Sequence, residues 1–289
     1  NIRGIVISSG LITAGSAQLQ EIRSALLEFK ESGKFIYSYS DIYTQKGYWL
    51  SSVADSVFIN PVGKLDFKGI SAEVTFFKGF QDKYGIKFDV IRHGKFKSAV
   101  EPFLSDKMSE ANKVQTSKLI NSIWSTYLSD ISESRKIEID RLNEIADYRS
   151  AELPNAALSY NLIDAAVYED QFIEIVNSKI GEEAWEELPL LGIKKYSKMK
   201  DPNKKEYTRT KIAVLYAEGE IVYLEGSSTN SVEPSSMVNA IRDIRNDENI
   251  KGVVLRVNSP GGSALSSDII WRELELLKAE KPLVVSFGD

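Results

Sequence analysis

Cysteine is absent from the 289 residues, and histidine occurs once, as His93. The first absence excludes disulfides, cysteine nucleophiles, zinc fingers and iron–sulfur clusters. The second excludes any metal site that needs two imidazoles, and it leaves a Ser-His-Asp triad only His93 to use. A base in an enzyme of this composition is expected to be Lys, Asp or Glu. Lack of cysteine fits cytoplasm and periplasm alike. No run of about 18 apolar residues occurs, so no spanning helix is expected within the chain. The start, Asn1-Ile2-Arg3-Gly4-Ile5-Val6-Ile7, reads as a strand and not as a signal peptide; an anchor ahead of residue 1 stays open. An excess of positive charge is also missing. With 36 Lys+Arg against 41 Asp+Glu the net charge is −5, which gives no general electrostatic reason to bind nucleic acid. What is present is 43% apolar residues, enough to exclude disorder and to build one large domain or two smaller ones.

An internal repeat organises the chain. Asn1-Ile2-Arg3-Gly4-Ile5-Val6-Ile7 aligns with Asn249-Ile250-Lys251-Gly252-Val253-Val254-Leu255. Ile22, Leu26, Phe29 and Lys30 then align with Ile270, Leu274, Leu277 and Lys278 at the same spacing. Each copy continues into a Lys and a short apolar strand ending in Asp, from Lys34 to Asp41 and from Lys281 to Asp289. Strand, loop, helix and strand make a βαβ unit, hence a parallel sheet. The strands Val253 to Val257 and Leu283 to Ser286 are continuous apolar runs, the pattern expected when helices cover both faces. Two coincidentally similar βαβ units are the alternative to duplication.

Two stretches separate the copies. Residues 109–139 read as mostly helical, with Ile120, Ile123, Trp124, Tyr127, Leu128 and Ile131 on one stripe. Residues 194–210 are polar, basic and interrupted by Pro202, which reads as a solvated linker or as a phosphate or membrane contact. The expected domains are therefore 1–193 and 211–289. In the second, a strand at Ile212 to Tyr216 precedes a helix opened by Pro234, with Met237, Ile241 and Ile244 inward. The copies are cut differently at their outer ends, so the chain is expected to be part of a longer protein.

Two segments can carry chemistry. Asn258-Ser259-Pro260-Gly261-Gly262-Ser263 lies between a buried strand and a helix. Its glycines free the backbone to present N–H groups, and the helix N-terminus adds positive potential, an arrangement that stabilises an oxyanion. A tight turn with a capping serine is the equal alternative. No Rossmann pattern is present, so a dinucleotide site is not supported. In His93-Gly94-Lys95-Phe96-Lys97-Ser98-Ala99-Val100-Glu101-Pro102-Phe103, Lys97 sits among Phe96, Ala99, Val100 and Phe103. Partial burial by those neighbours would lower its pKa and make it a usable base for a serine hydroxyl. The alternative is an exposed Lys beside Lys95, or one paired with Glu101.

Lys97-Ser98-Ala99-Val100-Glu101-Pro102-Phe103 resembles the lysine motif of the signal peptide peptidase A (protease IV) family in its long two-repeat form. Val257 to Ser263 resembles the motif of that family's second repeat, and Tyr48-Trp49-Leu50 with Asn60-Pro61-Val62-Gly63 fits its degenerate first repeat. The resemblance covers nearly the whole chain; the lysine motif is specific, whereas the Pro-Gly-Gly loop is shared across the crotonase and Clp protease superfamily. It implies an α/β fold of two tandem crotonase/Clp protease-like repeat domains with mostly parallel sheets and an added helical segment. It implies a bacterial membrane-attached serine peptidase with a Ser/Lys dyad, its catalytic domain on the periplasmic side. Cleaved signal peptides would be its substrates; a homo-oligomeric ring, taken as a tetramer, its assembly. No cofactor, metal or nucleic acid is implied, and the anchor would lie outside this sequence. The family base falls on Lys97; nothing but this alignment prefers it to Lys95. The oxyanion glycines fall on Gly261 and Gly262. The family nucleophile lies in an Ala-Ser-Gly-Gly-Tyr segment that is absent here, and Gln45 occupies the equivalent place in the first repeat. The chain by itself is thus expected to hold the base and part of the oxyanion hole but not the serine, and to be inactive. A crotonase-like acyl-CoA thioester enzyme and a noncatalytic assembly scaffold are the competing readings.

Overall fold

A computed structural model of the chain describes residues 2–8, 11–91, 93–181, 190–199, 209–223, 226 and 231–289. It divides into two compact units, Asn1–Leu188 and Pro189–Asp289. The expected first boundary stands five residues further on, at 193. Of the basic stretch read as a linker, residues 200–208 lie outside the described residues.

The first unit runs β1 (Gly4–Ser8), α1 (Ser16–Glu31), β2 (Phe35–Tyr43), α2 (Gln45–Ser51), β3 (Ser56–Leu65), α3 (Lys78–Tyr84), α4 (Glu101–Leu104), α5 (Glu110–Arg135), α6 (Ile139–Asp147), α7 (Pro154–Ser159), β4 (Ala165–Ala166) and α8 (Glu169–Ile180). Its strands form one all-parallel sheet in the order β1-β2-β3-β4, with Gly4 opposite Phe35 and Tyr37 opposite Ser56. Strand side chains alternate between faces, and each face has its own cover. Ile36, Val57 and Ile59 point to the larger core, where Leu19, Tyr48, Trp49, Tyr127, Leu128, Ile131 and Leu142 meet them. Phe58 and its neighbours Tyr37 and Tyr39 point the other way, onto Phe172 and Val176 of α8. The apolar stripe expected over residues 109–139 is α5, continued after a break by α6; its Tyr127, Leu128 and Ile131 are buried.

A polar cluster is sealed inside this core. Arg23 is buried beneath the Trp49 ring, ion-paired to Asp130, and donates to Ser52 Oγ and to the Trp49 carbonyl. Burial pulls its pKa down, against the raising effect of Asp130. The same burial raises the Tyr43 and Tyr48 hydroxyls well above their ordinary value, so both remain donors, to the carbonyls of Phe58 and Leu162. Arg23 also explains a departure from the repeat. Ile22 aligns with buried Ile270 yet is exposed, because α1 turns its Leu19–Arg23 face inward to Trp49 and Asp130.

The second unit comprises α9 (Ile193–Tyr196), β5 (Lys211–Glu218), β6 (Glu220–Ile221), β7 (Ser231–Val232), α10 (Pro234–Asn246), β8 (Ile250–Asn258), α11 (Ala264–Glu280) and β9 (Leu283–Phe287). β5, β8 and β9 form a parallel sheet in that order; β6 and β7 form a separate parallel pair. Pro234 opens α10, and Met237 and Ile241 join Val253, Leu255, Ile270 and Leu277 in the core. Cover on both faces was expected for these apolar strands, and the structure corrects that. α10 and α11 pack on the face of Leu215, Val253 and Leu255, whereas Ile212, Val214, Tyr216 and Val284, which alternate to the other face, are exposed. Alternation alone cannot report whether a second layer is present.

Candidate active-site segments

The lysine segment hangs between exposed turns and a buried anchor. Gly94 has φ +100°, a left-handed backbone suited to glycine, and its carbonyl accepts the Lys97 N–H at 3.4 Å. The Glu101 N–H closes a turn on Ser98 O at 2.9 Å, and α4 follows with Pro102 in its first turn. Lys95, Phe96 and Lys97 are exposed, as in the alternative of an exposed Lys97 beside Lys95 and not in that of partial burial by apolar neighbours. The reason lies with Phe103. It stacks on Phe77 at 5.5 Å and meets Phe88 at 5.1 Å, so the aromatic ring of the motif that turns inward serves the α3–α4 contact. The two lysines differ locally: the Lys95 ammonium lies over the Phe96 ring at 5.9 Å.

The sequence reading missed the part played by Glu101, offering it only as a partner for Lys97. Glu101 is buried, and its Oε2 accepts from Asn112 Nδ2 at 2.7 Å and from the Ser109 N–H at 3.3 Å. Ser109 caps α5, accepting from the Asn112 N–H at 3.2 Å. The signal that could have found this is Ser109 with a polar residue three positions on, just before a long apolar-striped helix. An open cleft of about 570 Å³ lies nearby, lined in part by Lys78, Asp82, Asp106 and Ser109, and does not include Lys97.

The Pro-Gly-Gly loop belongs to the second unit and is held by main-chain atoms. Ile221 N–H donates to Gly261 O at 2.9 Å, and Ser263 N–H donates to Ile221 O at 2.7 Å. Gly261 and Gly262 have φ of +97° and +154°. A Cβ on Gly262 would lie 2.1 Å from the Ile221 carbonyl oxygen, so that position accepts no side chain while the bridge stands. Ser263 caps α11, accepting from the Ser266 N–H at 3.2 Å. The Gly261 N–H donates to Ser259 Oγ at 3.1 Å. For the Gly262 N–H, no protein acceptor occurs among the described residues. The capping serine weighed from sequence is in place as Ser263.

Gln45 opens α2 directly after β2. Its Nε2 donates to Gly69 O at 2.9 Å and its Oε1 accepts the Lys68 N–H at 2.9 Å. Both ends of the amide are engaged in closing a loop. Among the described residues, no helix is long and apolar enough to cross a membrane.

Comparison with known proteins adds a family. The model described as peptidase family S49 matches residues 28–181. The chain is 34% identical over 299 residues to Protease 4 of Salmonella typhi, covering 100% of this chain and 47% of that protein. It is 33% identical over 297 residues to Protease 4 of Haemophilus influenzae, covering 99% and 48%. It is 30% identical over 300 residues to the chloroplastic serine protease SPPA of Arabidopsis thaliana, covering 100% and 43%. The chain thus spans about half the length of the curated relatives it matches. Parallel sheets in a mixed α/β architecture agree with the Clp protease and crotonase-like fold.

Proposed function

Because this chain belongs to peptidase family S49, we propose that the protein containing it is a serine endopeptidase working through a Ser/Lys dyad. The observation that carries the reading is the alignment of essentially the whole chain, lysine segment and Pro-Gly-Gly loop included, with proteins named as serine protease SPPA and Protease 4. Lys97 is the base. As the neutral amine, its Nζ takes the proton of a serine Oγ while that oxygen attacks the substrate carbonyl carbon. The carbonyl oxygen becomes an oxyanion, which the Gly262 N–H is suited to receive. Collapse breaks the C–N bond, and the amine leaves with the proton held by Lys97. Water then attacks the acyl-enzyme, again giving its proton to Lys97; the acid is released and the serine is restored. The nucleophile is assigned to the family's Ala-Ser-Gly-Gly-Tyr segment, which is not among these residues.

Exposure of Lys97 sets a requirement. An ammonium loses its proton near neutral pH when water is removed from around it. The working enzyme must therefore cover this segment, which suits a closed homo-oligomer, taken as a tetrameric ring. Apolar peptides, cleaved signal peptides foremost, are the substrates. The site faces the periplasm of a bacterium, held at the membrane by an anchor outside this sequence.

The test uses the whole protein with a fluorogenic apolar peptide. Lys97→Ala is expected to lower turnover by about 10²–10⁴-fold, the range of general-base catalysis, with an unchanged melting temperature. Retained turnover in Lys97→Ala would move the base elsewhere. A folded wild-type protein with no hydrolysis would overturn the peptidase reading.

A further inference from the structure

Carboxylates are almost never fully buried unless they are paired. Glu101 is 4% exposed, four residues beyond Lys97, and its place in the first unit is defined by the first turn of α5. That turn offers N–H groups without helical partners and the positive end of the helix dipole. Ser109 N–H and Asn112 Nδ2 both donate to Glu101 Oε2. Asn112 is itself fixed, since it is buried, its N–H donates to Ser109 Oγ, and its Oδ1 accepts from Thr116 Oγ1 at 3.2 Å. α5 is a rigid reference, with Tyr127, Leu128 and Ile131 locked in the main core. A chain of contacts therefore runs from the core through α5, Asn112 and Glu101, then by the Glu101 N–H to Ser98 O, to the residue next to Lys97. For stability alone an apolar side chain would serve as well as a buried carboxylate. A carboxylate with two directed donors fixes an orientation instead.

We propose that Glu101, held by Asn112 and Ser109, is a positioning residue that fixes the Lys97 segment for proton transfer. The proposal rests on the reading of Lys97 as the base. In this proposal Glu101 acts through the turn that carries Lys97.

The experiment measures steady-state kinetics and amide hydrogen exchange on the whole protein. Glu101→Ala is expected to lower kcat by about 10- to 100-fold, as ångström-scale misplacement of a catalytic group does, with KM within about twofold. Asn112→Ala should do the same, and the double variant should lose no more than either alone, because the two residues act as one device. Glu101→Gln keeps an acceptor oxygen and should recover most of the loss. Exchange at the Glu101, Phe103 and Ser105 amides should quicken in Glu101→Ala while the rest of the first unit stays protected. Wild-type kcat in Glu101→Ala, beside an inactive Lys97→Ala, would overturn the proposal and leave the base assignment standing. So would a loss that follows the fraction unfolded and is not recovered by Glu101→Gln. An active Lys97→Ala would instead remove the base reading, and with it the task assigned to Glu101, whatever exchange reports about the anchor.

Discussion

The two repeats begin alike and differ in what they bury. In the first, both sheet faces are covered: Ile36, Val57 and Ile59 by the main helical core, Tyr39 and Phe58 by α8. In the second, α10 and α11 cover one face, and Val214, Tyr216 and Val284 on the other are exposed. The loops after the aligned first strands differ in the same sense. Where the second copy has Gly261-Gly262-Ser263, the first has Thr13-Ala14-Gly15, with side chains in place of a bare backbone. After the aligned second strand, the first copy has Gln45, whose amide bonds Lys68 and Gly69 at its two ends. The first unit thus has a filled interior on both sheet faces, while the loop of the second keeps the backbone freedom of two glycines. The lysine segment belongs to the first unit, where Glu101 ties it to α5.

Removing one cover should separate the copies most sharply. Phe172→Ala takes a buried ring away from Tyr39, 5.0 Å distant, and Phe58, 5.5 Å distant. A loss of about 3–5 kcal/mol is expected in denaturant unfolding of the first unit. Val284→Ala, on the uncovered face, should change stability by no more than about 0.5 kcal/mol. Equal costs would mean that the second sheet is covered too. Next in size is Gly262→Ala in the whole protein. The new Cβ forces the loop off Ile221, and kcat should fall by about 10²–10³-fold, as when an oxyanion donor is lost, whereas Ala14→Gly in the first copy should leave kcat alone. The smallest effect concerns acid. Hydrogen bonds from Arg242, with the charges of Arg242 and Arg245, hold the Glu273 carboxyl below the ordinary carboxylate value. A depressed carboxylate contributes stability above its unfolded pKa and loses it as pH falls through the folded one. Between about pH 6 and pH 3 the melting temperature should therefore fall slightly more in wild type than in Glu273→Gln. Parallel pH profiles would remove this pair from the second unit's stability.

The repeat, the parallel sheets and the helical stripe of α5 were legible because each is a periodic apolar pattern, and the same periods set which side chains point together. The exposure of Ile22 was not legible because alignment with Ile270 carries no knowledge of Asp130 and Trp49, which are far along the chain and draw Arg23 inward. Whether Lys97 is partly buried or exposed stayed open because its apolar neighbours adjoin it only in sequence. Phe103 had a better partner in Phe77, and adjacency along a chain does not decide which way a ring turns. The glycines of the Pro-Gly-Gly loop were legible as backbone freedom. Their tether to Ile221 was not, since a two-residue strand leaves no pattern to read.

That tether divides the evolutionary freedom of its two ends unequally. To the tether itself Ile221 contributes only its main-chain N–H and C=O, which any residue but proline supplies. Its side chain packs against the core of the second unit, so position 221 can change to another apolar residue and leave the loop in place. Position 262 is frozen at glycine for as long as the bridge exists, because its partner's carbonyl occupies the space of a Cβ. A single contact thus fixes one residue identity on one side and only an apolar character on the other.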